Sequence, residues 1–228
     1  MKKLLEKIWW YTLNDALKIE ASDRQFIAIQ KLYESSNFKP HIFFSLILWN
    51  TTVGYLLSST GEDYWEEFSE YFKYKKLKSS EIIKALQTFL PLSKGNKRLN
   101  NHKNMRLKKL WDFHNIFLDL PLENWENFSL FHRSLCTHMK QKSDAKTITF
   151  TIKMLAYAAR IIHKKDIVLP FEIEIPIDSR LTKMYICYNT QNINIKEFYK
   201  QLSTKMKIPP IHLDGILWTK YSEIMSED

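Results

Sequence analysis

The chain has 228 residues, of which 45% are apolar, and this composition excludes a disordered polypeptide. Only four glycines are present, which argues against Gly-rich phosphate loops and against turn-rich all-β folds. The 34 Lys and Arg residues outnumber the 25 Asp and Glu residues and give a net charge of +9. A surplus of this size favours a polyanionic partner, either a nucleic acid or an acidic membrane surface.

Two isolated cysteines and one apolar run place further limits on the class of protein. Cys136 and Cys187 lack CxxC spacing, so we expect free thiols in a reducing compartment, with no metal site and no cofactor. The apolar run 42–57 is interrupted by Ser45 and Asn50 and is too short to span a bilayer. The sequence therefore predicts a soluble, cytoplasmic protein with no membrane attachment.

Apolar residues recur with a helical period through nearly the whole chain, so the sequence predicts an all-α protein. Prolines and glycines separate the helical stretches, as is typical of helix boundaries. The predicted helices span, in chain order, residues 2–20, 23–34, 41–58, 62–73, 80–90, 105–115, 122–139, 145–163, 179–188, 195–206 and 210–225. Residues 167–177 alternate in polarity, but two prolines make them a poor strand.

Two clusters of basic residues lie in the first half of the chain. The first cluster is Lys73, Lys75, Lys76 and Lys78, and the second is Lys94, Lys97, Arg98, Lys103, Arg106, Lys108 and Lys109. Each is compatible with a solvated face or with phosphate contacts, and phosphate contacts would make binding salt-dependent. Aromatic residues do not interleave within the second cluster, so we do not expect single-stranded bases to stack there.

The segment 124–163 predicts a helical hairpin. Two helices flank a short polar bend over 140–144. Backbone amides at such a bend can bind one DNA phosphate, and Lys140 and Lys142 would add positive charge there. Any antiparallel helix pair has a similar pattern, so the pattern alone leaves a simple packing unit open.

Lys146 lies in the first turn of the second hairpin helix, where the positive end of the helix dipole disfavours a cation. Ser143 or Asp144 is the expected N-cap of this helix. The helix is apolar on nearly all sides and is expected to be buried. Burial and the dipole would both favour the neutral, nucleophilic amine. Phe150 and Lys153 share its helix face, but spacing alone favours the interpretation in which both lysines extend into solvent.

Three ordered motifs carry a resemblance to a known family. The runs 146–155 (KTITFTIKML), 169–180 (LPFEIEIPIDSR) and 208–218 (IPPIHLDGILW) resemble the archaeal 8-oxoguanine DNA glycosylases, the AGOG family. That family is a divergent branch of the helix-hairpin-helix glycosylases. Weaker similarity lies upstream, in 23–26 (DRQF) and 61–68 (GEDYWEEF).

The resemblance implies a fold and a location for the site. It implies an all-α, two-lobed helix-hairpin-helix glycosylase fold, formed as one domain over residues 1–228, with the active site in the cleft between the lobes. The hairpin would be the segment at about 124–163. The family's hairpin usually carries a glycine in the bend, whereas Lys140 or a neighbour occupies that place here. Backbone approach to a phosphate would then be looser.

The resemblance also implies roles for individual residues. Lys146 matches the family's Schiff-base lysine, and Asp178 matches the aspartate that serves the whole superfamily. The residues that resemble the family's base pocket are Gln25, Trp65, Phe150, Lys153, the backbone near Ile177, Asp214 and Trp218. Other roles remain open from the sequence alone, because Trp65 could be a core residue and Asp178 a helix N-cap.

The implied function is that of a bifunctional DNA glycosylase and AP lyase in base excision repair. Its substrate would be double- or single-stranded DNA containing oxidised guanine, and the protein would act as a monomer associated with the nucleoid. Three alternatives remain at this stage. They are a glycosylase for a different lesion or one that lacks lyase action, a non-catalytic basic helical module that binds nucleic acid, and a helical adaptor at a membrane surface or on a protein.

Overall fold

The structure, a computed structural model, describes residues 1–110 and 125–226, and this part of the chain contains helices and no strand. The helices are α1 (Lys2–Ile8), α2 (Leu13–Ala21), α3 (Arg24–Ser35), α4 (Pro40–Val53), α5 (Gly61–Phe72), α6 (Ile82–Leu92, preceded by a 3-10 turn at Ser79–Glu81), α7 (Asn100–Leu110), α8 (Trp125–Met139), α9 (Lys146–His163), α10 (Ser179–Tyr188), α11 (Ile195–Met206), α12 (Pro210–Thr219) and α13 (Tyr221–Met225). The all-α prediction is confirmed. Within the described ranges, none of these helices combines the length and the apolar character needed to cross a membrane.

Two predicted helices are wrong because each is broken in two. The predicted helix 2–20 consists of α1 and α2, and a capping box separates them. The Thr12 hydroxyl accepts a hydrogen bond from the Asp15 amide at 3.2 Å, and the Asp15 carboxylate accepts one from the Thr12 amide at 2.9 Å. The predicted helix 210–225 is likewise interrupted, because Lys220 leaves helical geometry between α12 and α13.

Other boundaries differ in smaller ways. Helix α4 ends at Val53, short of the predicted end at residue 58, so that residues 54–60 form a loop. Pro91, which was expected to end a helix, lies inside the last turn of α6. Parts of two predicted helices, 111–115 and 122–124, lie outside the described residues.

The described apolar side chains form two buried clusters. The larger cluster is built by α3 to α9 and centres on α9, whose side chains are buried on most sides as predicted. Helix α9 packs against α4 and α3. The smaller cluster is built by α1, α2 and α10 to α13, in which α2 packs against α12. Helix α9 thereby presents its first turn to the region where the two clusters meet.

The bend between α8 and α9 has the geometry for which glycine is usual, although no glycine is present. Lys140 has φ of 52°, in the left-handed region. The Lys140 amide donates to the Thr137 carbonyl at 3.2 Å and the Gln141 amide to the Cys136 carbonyl at 3.1 Å, which is the pattern of a Schellman motif. The backbone at Lys140 therefore adopts the bend conformation, so the missing glycine does not change its course.

The expected cap of α9 is wrong. The N-cap is Ala145, which makes no side-chain capping bond. Asp144 instead forms an ion pair with Lys196 on α11, and the carbonyl of Ser143 contacts Nε2 of His132 at 2.9 Å. Both residues thus tie the bend to neighbouring helices, and this leaves the first amides of α9 without a side-chain acceptor.

Candidate active site

One cavity of about 430 Å³ draws its walls from helices of both apolar clusters. Its volume lies in the range of small-molecule sites. The lining residues are Gln25, Thr51, Gly54, Tyr55, Leu56, Leu57, Gly61, Tyr64, Trp65, Lys146, Thr147, Phe150, Lys153, Pro176, Asp178, Asp214 and Trp218. Eight of the predicted site residues are in this set, and five separate stretches of sequence supply them.

Lys146 is the first residue of α9 and lines the cavity. Its side chain is exposed, as the spacing alone favoured, and the helix behind it is buried as predicted. The first turn of α9 emerges from the core, and Lys146 lies where that turn reaches the cavity. A lysine in this position can reach a ligand in the cavity while its amine remains accessible from solvent.

Aromatic side chains provide flat apolar surface in the cavity. Phe150, one turn after Lys146, and Trp218, near the end of α12, are both partly exposed and both line the cavity. Trp65 on α5 is 2% exposed, so it belongs to the core and to the cavity wall at once. Partly exposed rings that face a cavity can stack against a planar ligand.

Asp178 caps a helix and also lines the cavity. Its Oδ1 accepts a hydrogen bond from the Leu181 amide at 2.9 Å, so it is the N-cap of α10. The same side chain lines the cavity. The capping bond holds the carboxylate at the cavity wall in a defined orientation.

Lys153 and Asp214 form a buried ion pair, and the interpretation that Lys153 extends into solvent is wrong. Lys153 Nζ lies 2.5 Å from Asp214 Oδ2, and the two side chains are 3% and 6% exposed. Burial alone would lower the pKa of Lys153, but Asp214 and Asp23 outweigh it and hold that pKa above its usual value. The ammonium therefore stays charged and keeps Asp214 paired at the cavity floor.

A second buried polar group lies deeper along the same helix. Arg160, two turns after Lys153, donates to Glu20 at 2.7 Å. His212 Nε2 accepts a hydrogen bond from the Leu169 amide at 2.9 Å, so its Nδ1 carries the proton and donates to Glu20, also at 2.9 Å. These side chains connect α2, α9 and α12 and support the floor that carries Asp214.

Gln25 reaches the cavity because its neighbour is a glycine. A Cβ on residue 61 would lie 2.7 Å from the Gln25 side-chain nitrogen, so only Gly61 leaves the amide its place. Gln25 is 4% exposed and lines the cavity. Its side-chain amide makes no hydrogen bond to another residue of 1–110 or 125–226. The amide is thus available to a ligand.

Three predicted site residues do not line the cavity. Ile177 lies between two lining residues, Pro176 and Asp178. Lys140 and Lys142 are exposed in the bend between α8 and α9. Sequence analysis also missed the lip formed by Tyr55, Leu56 and Leu57, because it assigned these residues to a helix. The signal that could have found this lip is Gly54, a helix-ending residue.

The fold matches that of a known DNA glycosylase. The crystal structure of an 8-oxoguanine DNA glycosylase from Pyrobaculum aerophilum, complexed with 8-oxoguanosine, aligns with a TM-score of 0.83. The match covers 96% of this chain and 87% of that one at 24% sequence identity, which establishes the fold. The described part of this chain therefore has the all-helical fold of that glycosylase.

Sequence comparison identifies the family to which this chain belongs. The profile of the AGOG family, described as N-glycosylase/DNA lyase, matches residues 5–228, and the chain belongs to this family. An N-glycosylase/DNA lyase of Methanococcus maripaludis is 34% identical over 96% of this chain and 86% of its own length. One from Thermococcus kodakarensis is 36% identical over 87% of this chain and 75% of its own. The predicted family and enzyme class are confirmed.

Proposed function

We propose that this N-glycosylase/DNA lyase excises 8-oxoguanine from DNA, with Lys146 as the nucleophile and Asp178 as the essential carboxylate. One observation carries the proposal. A lysine, a carboxylate held by a helix N-terminus and two partly exposed aromatic rings line one cavity, although they come from three separate parts of the chain. The solved relative with bound 8-oxoguanosine supports oxidised guanine as the base.

A damaged base must leave the duplex to reach this cavity, and the unstacking costs a few kcal/mol. Phe150 and Trp218 offer partly exposed faces that can replace the lost stacking. The cavity, at about 430 Å³, accommodates a purine with room for part of its sugar. The cleft between the two apolar clusters is thus the active site in this proposal.

Recognition of the base would depend on two buried polar groups. Asp214, paired with Lys153, can accept hydrogen bonds from N1–H and the amino group of guanine. Oxidised guanine gains an N–H at position 7, and the uncommitted amide oxygen of Gln25 can accept it. Unmodified guanine would leave that acceptor without a donor, and an unmet buried group of this kind costs about 1–3 kcal/mol.

The chemistry begins with the lone pair of the neutral Lys146 amine. Nζ attacks the anomeric carbon, the glycosidic bond breaks, and the base leaves with its electron pair and takes a proton. The attacking nitrogen loses a proton, the C1′–O4′ bond of the sugar ring opens with O4′ taking a proton, and an imine forms between Nζ and C1′. Removal of a proton from C2′ then allows β-elimination, which breaks the C3′–O bond and nicks the strand. Asp178 would stabilise the cationic sugar and accept the proton from Lys146.

Phosphate binding would fall to the hairpin bend. Lys140 and Lys142 are both exposed there, and the first amides of α9 have no side-chain cap. Free amides at a helix N-terminus together with lysines form an anion site. We further propose that the enzyme acts as a monomer on double- or single-stranded DNA in the cytoplasm, at the nucleoid, and that residues 1–228 form one domain with the hairpin at about 124–163.

Borohydride trapping tests the proposal. Wild-type protein incubated with an 8-oxoguanine duplex and borohydride should give a covalent adduct, because the imine is reduced to a stable amine. Lys146→Gln should give none, whereas Lys142→Gln, which removes an exposed lysine from the same hairpin, should still be trapped. Trapping by Lys146→Gln at the wild-type level would overturn the assignment, and release of other bases in preference to 8-oxoguanine would overturn the substrate.

Asp178→Asn tests the carboxylate. An asparagine can still cap α10, so the variant should fold and bind DNA normally. It should lose most base release, by a factor of about 100 or more, because the cationic sugar loses its negative partner. Base release at the wild-type rate would refute the role of Asp178.

A further inference from the structure

Arg180 packs against Trp218, one of the residues that line the cavity. Its guanidinium carbon lies 3.7 Å from the centre of the Trp218 ring, and its Nη1 donates to the Trp218 carbonyl at 3.5 Å. Trp218 lines the cavity, whereas Arg180 does not. The guanidinium therefore covers the ring from outside the cavity, and both contacts oppose rotation of that ring.

The position of Arg180 in its own helix is unfavourable for a positive charge. Arg180 is in the first turn of α10, where the dipole disfavours a positive charge. Two partners offset that cost. One is the π face of Trp218, and the other is Glu62 on α5, whose Oε1 lies 3.9 Å from Nη2 of Arg180. A planar guanidinium can stack on an indole while its edge stays near a carboxylate, which a lysine ammonium cannot do.

Glu62 belongs to the larger apolar cluster's side of the cavity, and Arg180 to the other side. The Glu62 side chain is 13% exposed and the Arg180 side chain 37% exposed. The second carboxylate oxygen of Glu62 is buried and has no hydrogen-bond partner in the described part of the chain. The negative charge of this carboxylate attracts the guanidinium and helps to hold it over the ring.

We propose that Arg180, restrained by Glu62, is a positioning residue that holds the Trp218 ring ready to stack on an everted base. The inference rests on the proposed function and adds to it the means by which the stacking wall is kept rigid. A free indole on a helix surface samples several rotamers, and a stacking partner that must first be ordered slows the reaction. Because Arg180 does not line the cavity, it acts on the base through Trp218.

The experiment is a double-mutant cycle on single-turnover release of 8-oxoguanine. Arg180→Met should slow release about tenfold, which is the scale of one well-formed cation–π contact. In a Trp218→Leu background the same change should slow release less than twofold, because the ring on which Arg180 acts is gone. Glu62→Gln should slow release in the same direction but less.

Two further variants separate this role from others. Arg180→Lys retains the charge and loses the planar stack, so it should stay slow, with an unchanged salt dependence of DNA binding. Lys183→Met removes an exposed cation from the same helix and should leave release unchanged. Equal slowing by Arg180→Met in both backgrounds would overturn the proposal. Full rescue of base release by Arg180→Lys, together with a salt slope of DNA binding lowered by about one in Arg180→Met, would also overturn it. These two results together would identify a phosphate contact.

Separate controls test whether the variants fold and whether the wild-type protein has the proposed activity. Arg180 is partly exposed, so Arg180→Met should melt near the wild type, and Arg180→Gln provides a second variant with the same expectations. Wild-type protein that releases no 8-oxoguanine would overturn the proposed function and this inference together. Wild-type release with additive Arg180 and Trp218 effects would overturn only the positioning role.

Discussion

Lys153 donates a 2.5 Å hydrogen bond to Asp214 at a site where both side chains are almost wholly excluded from solvent. Two charges in such a place are costly to bury, and their mutual attraction offsets that cost only while both are present. Asp214 also lines the cavity, so one pair serves stability and the proposed recognition of the base. The two functions can be separated experimentally.

Asp214→Asn should destabilise the protein by on the order of 3 kcal/mol, because it leaves the Lys153 ammonium buried without its closest carboxylate. Asp23 and Glu20 still act on that ammonium, which keeps the loss at the lower end of the range for such sites. Urea-induced unfolding provides the free energy. The double variant Lys153→Met, Asp214→Asn should lose less than the sum of the two single variants.

The matched control for this prediction is the exposed pair of Lys220 and Glu223, whose atoms also lie within 2.7 Å. Glu223→Gln should change the free energy of unfolding by less than about 1 kcal/mol, because solvent screens the pair. Comparable losses from both pairs would contradict the account of Asp214.

Asp23 should make stability depend on pH in a predictable direction. Burial raises its pKa above 3.8, although Lys153 and the Gln25 amide oppose the rise. The folded protein therefore holds this proton where the unfolded chain has lost it. The resulting stability is fully present below pH 3.8 and is lost as the pH rises through the folded-state pKa.

Asp23→Asn cannot ionise, yet an asparagine can still accept the capping bond from the Gln25 amide. The stability of this variant relative to wild type should rise between about pH 3.5 and about pH 7. Unfolding free energies across that range measure the difference. A difference that stays constant or falls with pH would be inconsistent with a raised pKa of Asp23.

Gly215→Ala tests whether packing outweighs helix propensity. In the interior of α12 the change should gain up to about 1 kcal/mol from propensity alone. However, a Cβ on residue 215 would lie 2.7 Å from Cγ of Glu20, which holds both Arg160 and His212. We expect a net loss of stability and a lower Tm. A higher Tm would mean that Glu20 moves aside without cost.

Lys140→Gly tests the hairpin bend. Glycine adopts the left-handed conformation of residue 140 without steric cost, so the variant should gain about 0.5–1 kcal/mol in stability. It also loses one charge at the proposed phosphate site, and the salt slope of DNA binding should fall by about one. Lys142→Gly is the control, because it loses the same charge at a position that lacks a positive φ. A lower free energy of unfolding for Lys140→Gly would contradict the view that the left-handed conformation is unfavourable for Lys140.

Much of the candidate site could be predicted from local sequence. The helical period identified α9 as a buried helix, and the spacing of Lys146, Phe150 and Lys153 placed them on one face. The spacing of Asp214 and Trp218 did the same on α12. Such relations hold because positions within a helix follow from its geometry alone.

The burial of individual charged groups could not be predicted in this way. Spacing alone favoured solvent exposure of both Lys146 and Lys153, yet only Lys146 is exposed, and Lys153 is buried on the same helix. The difference depends on which turn of α9 emerges between neighbouring helices and on where a carboxylate is available. The carboxylate that keeps Lys153 charged, Asp214, lies 61 residues away in the chain.

The sequence by itself determined that this protein is helical, which helix is central to its core, and which short motifs place it in its family. These properties depend on periodicity and on residue identity over a few turns. Only the tertiary structure decided that Gln25, Lys146, Asp178 and Trp218 share one cavity and that Arg180 stacks on Trp218. The physical reason is that the packing of distant helices, which no local pattern encodes, sets both the distances between their side chains and the exposure of each charge.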